Sequence, residues 1–116
     1  MIFKYLYVSN LLSRPTDTLG MNSSHDLKFL EDATETLRAI AHPIRLLIIE
    51  MLYERKTMTV SEIHTRLNIE QAVASHHLRI LKDKDVLTVR RDGKNSFYAL
   101  AKDDFYQIFE VLKNNI

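Results

Sequence analysis

Apolar residues recur at helical spacing along most of this chain, and the residues that interrupt them mark where the helices begin and end. Leu30, Ala33, Leu37, Ile40 and Ala41 fall on one helical face, which predicts a first helix from about Ser24 to Ala41. Ser23 or Ser24 can cap it, and Asp26 suits the positive end of its dipole. Pro43 predicts the start of a second helix, because its missing N–H falls where no intrahelical bond is made. Ile44, Leu47, Ile48, Met51 and Leu52 give that helix the wide apolar stripe of a central core element. Thr59 and Glu62 have the spacing of a capping box, opening a third helix through Val60, Ile63 and Leu67. Asn68 can take the left-handed conformation that ends it. A fourth helix then starts near Glu70 and runs through Lys82. Val86–Arg91 and Ser96–Leu100 read as a two-stranded ribbon turning at Asp92-Gly93-Lys94-Asn95. A last helix from about Asp103 to Asn114 carries Phe105, Ile108, Phe109, Leu112 and Ile116 as its stripe.

A short helix, a tight turn, a second helix and a basic hairpin in succession form a winged helix-turn-helix, so the expected fold is mainly α, with about five helices and a two-stranded wing. At 116 residues the chain holds one domain with a modest core. Its 46% hydrophobic and 27% charged content is that of a globular protein. There is no cysteine, which excludes disulfides, thiolate metal ligands and thiol redox sensing, and which fits a cytoplasmic protein. Residues 1–20 are read as an N-terminal extension or arm and residues 21–116 as the DNA-binding and dimerisation domain. Ile2–Val8 is apolar but too short to span a bilayer, lacks the organisation of a signal peptide, and is followed by a linker-like stretch, Arg14–Gly20. No membrane association is expected.

Net charge is only +1, but its distribution is uneven. Residues 55–102 hold ten Lys and Arg against five Asp and Glu, whereas residues 21–54 hold three against six. The basic excess coincides with the helix-turn-helix and hairpin, where phosphates would need neutralising. On the fourth helix Ala74, Leu78 and Leu81 should pack inward on Ile63 and Leu67. That leaves Gln71, Ala72, Ser75, His76 and Arg79 facing outward. Gln pairs with adenine and Arg with guanine in bidentate fashion, Ser and His reach a base edge or a phosphate, and Ala can touch a thymine methyl. Arg90, Arg91 and Lys94 surround the hairpin turn and would reach a minor groove or flanking phosphates. The bland alternative for both sets is a solvated polar surface. His76 and His77 point about 100° apart on a helix and cannot chelate one ion from it alone. No paired titrating groups suggest a catalytic pocket, so no enzyme is expected. The competing reading is a winged helix that binds another protein rather than DNA.

The segments Ala41-His42-Pro43-Ile44-Arg45-Leu46-Leu47-Ile48-Ile49, Val60-Ser61-Glu62-Ile63, Ser75-His76-His77-Leu78-Arg79-Ile80-Leu81 and Gly93-Lys94-Asn95-Ser96-Phe97-Tyr98-Ala99-Leu100 resemble the ArsR family of bacterial winged-helix repressors. The likeness spans about residues 27–112. It implies a homodimer paired through its first and last helices, with two reading helices in successive major grooves of double-stranded operator DNA. Many relatives sense metals or arsenite through cysteines in the helix before the reading helix. The matching positions here are Thr59, Ser61 and His64, with no thiol. Other relatives bind zinc on the last helix through His and carboxylates. Here Asp103, Asp104 and Glu110 are present but His is not, so neither a metal nor another cofactor is expected. Glu70 stands where relatives commonly carry a capping Ser or Thr, which bars copying their base preference.

Overall fold

The computed structural model describes residues 23–116, with side chains from Asp26 onward. The expected arm at residues 1–20 and the capping role of Ser23 or Ser24 lie outside what is described. The chain divides into two units after Glu35. The first unit contributes the opening turns of helix α1, Ser23–Ile40. There Lys28 pairs with Asp32 at 3.4 Å, and the Thr34 hydroxyl donates to the Leu30 carbonyl at 2.7 Å.

The second unit holds the end of α1, then α2 (Pro43–Arg55), β1 (Met58–Thr59), α3 (Val60–Leu67), α4 (Gln71–Asp83), β2 (Leu87–Asp92), β3 (Asn95–Leu100), a 3-10 turn (Asp103–Phe105) and α5 (Tyr106–Asn115). The helix ends form where the side chains dictate. Pro43 occupies the first turn of α2, and the His42 ring accepts the Ile44 N–H at 3.0 Å. Lys56, at φ 72°, ends α2 by returning its N–H to the Leu52 carbonyl. The Thr59–Glu62 capping box closes as expected: Glu62 accepts from the Thr59 N–H at 3.0 Å, and the Thr59 hydroxyl accepts from the Glu62 N–H at 3.2 Å. Those bonds to Thr59 hold the Glu62 carboxyl below its ordinary pKa. Asn68 adopts φ 54° and ψ 48°, the left-handed stop of α3.

Three features differ from the sequence reading. The wing belongs to a three-stranded antiparallel sheet of order β1-β3-β2, because Met58 and Thr59 pair with Tyr98 and Phe97. The last helix opens with a 3-10 turn rather than an α turn. On α2 the buried residues are Ile48, Ile49, Met51 and Leu52, while Leu47 is exposed. Apolar residues are spread around nearly all sides of this helix, so its packing rather than its period selects the inner face.

The core gathers Ile48, Ile49 and Leu52 of α2, Met58 of β1, Ile63 of α3, Ala74, Leu78 and Leu81 of α4, and Val86 and Leu87 before and in β2. Tyr53 stacks on Tyr106 with centroids 3.8 Å apart, and Lys56 reaches Asp103 at 3.6 Å, which fixes α5 against α2. Removing the cap oxygen with Thr59→Ala is expected to cost about 1 kcal/mol in chemical denaturation. Leu78→Ala is expected to cost about 2–5 kcal/mol by the same measurement, because it opens a cavity beneath α4.

Candidate nucleic-acid interface

Helices α3 and α4 are joined by Asn68, Ile69 and Glu70. Three bonds hold this turn. Asn68 N–H donates to the Thr65 carbonyl at 3.2 Å, Ile69 N–H donates to the His64 carbonyl at 3.1 Å, and the His64 Nδ1 lies 3.2 Å from the Ile69 carbonyl. α4 then starts on Glu70, whose carbonyl accepts from Val73 and Ala74 and whose side chain makes no cap bond.

The inner face of α4 is Ala74, His77, Leu78 and Leu81, all buried. Gln71, Ala72, Ser75, His76 and Arg79 are all exposed, so one helix brings the five candidate contact residues together on its outward side. The exposed Glu70 is the acid at its leading end. This surface is slim, polar and braced from behind by a dry core, the form that a major groove admits.

The wing separates its two arginines. Arg90 faces Phe97 across the ladder and Arg91 faces Ser96, so these neighbours project from opposite faces of the ribbon, as strand geometry requires. Arg90 sits over the Phe97 ring at 4.9 Å and pairs with Asp92 at 3.7 Å. Arg91 donates to the Ser96 hydroxyl at 3.5 Å. The turn is Gly93-Lys94, with Gly93 at φ 62°, and it leaves Lys94 exposed at the tip.

Sequence reasoning missed His77, which is buried with its ring 4.4 Å from that of His42 and 5.2 Å from that of His76. The signal was available: Ala74, His77, Leu78 and Leu81 have core spacing on a helix. Elsewhere Thr59 is held in the capping box, His64 in the turn and Asp103 against Lys56. Among the described residues, no group of three or more His, Cys, Asp or Glu could hold a metal ion, and no helix is long and apolar enough to cross a membrane.

The family model "Helix-turn-helix domain" matches residues 40–90, the span from the end of α1 into the wing. An uncharacterised HTH-type transcriptional regulator of Methanocaldococcus jannaschii is 34% identical over 71% of this chain and 92% of its own length. The transcriptional repressor PagR of Bacillus anthracis is 35% identical over 72% of this chain and 83% of its own. Its crystal structure superposes with a TM-score of 0.66, covering 73% of this chain and 97% of that one at 34% identity. A homodimeric winged helix-turn-helix DNA-binding domain of Mycobacterium bovis, described as a possible ArsR-family regulator, gives a TM-score of 0.71 at 25% identity, covering 80% of this chain and 85% of that one. A matching family model, relatives aligned over most of their length, and a common arrangement of helices and wing establish that this chain belongs to the ArsR family of winged helix-turn-helix transcriptional regulators.

Proposed function

We propose that the protein is a sequence-specific DNA-binding transcriptional repressor that acts in the cytoplasm as a homodimer and does not use the cysteine metal site of some relatives. One observation carries this reading: Gln71, Ala72, Ser75, His76 and Arg79 are exposed on a helix whose opposite face is buried. Gln71 and Arg79 are assigned to base edges, Ala72 to a thymine methyl, and Ser75 and His76 to a base edge or adjacent phosphate. Arg90, Arg91 and Lys94 are assigned to the backbone or minor groove beside it. Repression then follows from occupancy, since a dimer seated on a promoter excludes other proteins from it.

The dimer is assigned to the first and last helices. Val111 and Leu112 on α5 are 59% and 41% exposed, and Phe29 on α1 is 62% exposed. Apolar side chains left in water on helix surfaces are the ordinary material of an interface between identical chains. Two-fold pairing puts half-sites one or two helical turns apart, at about 10 bp per turn.

A gel shift on the chain's own upstream DNA tests the reading, with specific retardation expected and its absence counting against DNA recognition. At a cognate site, Gln71→Ala or Arg79→Ala should each cost about 1–3 kcal/mol, and full-strength binding by both variants would remove the base-reading assignment. Binding should weaken with salt at a slope of about −0.9 per phosphate neutralised. Val111→Glu should convert dimer to monomer in sedimentation while leaving helical circular dichroism unchanged, and an undisturbed dimer would move the interface elsewhere.

A further inference from the structure

We propose that the contact between His42 and His77 is a proton-sensitive joint that positions the reading helix on α2, so that sequence-specific DNA binding weakens in mild acid. This rests on the DNA-reading function above. His77 lies on the inner face of α4 and is only 7% exposed, with its Nδ1 buried and without a hydrogen bond. Such a nitrogen is costly to bury, and an apolar side chain would fill the space without that cost. Its ring packs on His42 at 4.4 Å. His42 is itself the cap of α2, because its Nδ1 accepts the Ile44 N–H at 3.0 Å. Arg45, in the first turn of α2, also has a buried Nε without a partner.

The charges acting on His77 all oppose its protonation. Burial comes first, followed by His42 and Arg45 from α2 and by His76 from its own helix, and together they push the imidazole below its ordinary value. No carboxylate is among them. The other elements packed on α4 contribute Ile63 of α3 and Leu87 of β2 to the shared core, neither of which titrates. A depressed folded-state pKa fixes the sign. The contribution of His77 to stability is complete above the ordinary imidazole value of 6.5 and is lost as pH falls below it toward the folded-state value.

The test uses the full-length protein and a duplex that it selects from a random library at about pH 7.5, with a scrambled duplex as the non-specific probe. Fluorescence anisotropy at fixed ionic strength follows both from about pH 7.5 to about pH 5.5, with helical circular dichroism recorded in parallel. The preference for the selected duplex should fall about tenfold in the wild type. Helical signal should persist. His77→Phe should keep its preference into acid. His42→Asn, which retains a capping oxygen and removes the ring packed on His77, should do so too, and it carries the test if His77→Phe does not fold. A wild-type preference indifferent to pH, an undiminished acid loss in the folded variants, or helix unfolding in step with the loss would each overturn the joint. Failure to select any duplex at about pH 7.5 would instead remove the DNA-reading function, and this inference with it.

Discussion

Burial of Ala74, Leu78 and Leu81 beneath α4 is the interaction on which the rest of the structure depends. All three are fully out of water, against a core built from α2, α3 and the strands. A leucine moved from water to such a site contributes about 1.5–3 kcal/mol, whereas one exposed polar residue on the opposite face contributes little. The orientation of α4 is therefore set from below, and its outer face is whatever remains. The turn between α3 and α4 needs few residues because Asn68 reverses the chain at φ 54°.

Much of this was legible because it is written in short-range chemistry. Pro43, Thr59 with Glu62, and Asn68 each act within a few residues, so their spacing announces helix ends without tertiary information. The polar face of α4 was legible because its two sides differ so strongly in composition. Features fixed by distant partners were not. β1 is two residues long and carries no period, and Met58 is a strand residue only because Tyr98 lies across from it. Leu47 and Ile49 are equally apolar, and only the placement of neighbouring elements buries one and exposes the other. His77 had core spacing all along, but its adjacency to His76 draws attention to a shared role that the helix geometry forbids.

Family membership explains the architecture but not the particular chemistry of the surface. A winged helix hosts readers of many DNA sequences and also protein-binding modules, so assignment of function rests on the exposed residues themselves. Here the position before the reading helix is Glu70, which offers no cap bond to the first turn and adds negative charge at its leading end. That end carries exposed amides and a partial positive charge, which Glu70 offsets locally. Its charge is repulsive to a phosphate nearby.

The wing shows why a count of basic residues overstates attraction to DNA. Arg90 is already engaged with Asp92, and Lys56 with Asp103 just beyond the basic span, so two of the ten cations between residues 55 and 102 already have acidic neighbours. The Arg90 pair is exposed, however, and such pairs contribute only about 0–1 kcal/mol, little enough for a phosphate to replace Asp92. Stacking on Phe97 holds the guanidinium in place whether or not Asp92 does. Arg90 is therefore preoriented rather than neutralised. Arg91, on the opposite face, cannot join Arg90 at the same phosphate without twisting the ribbon. The ribbon thus presents a cation on each face, with Asp92 beside one of them.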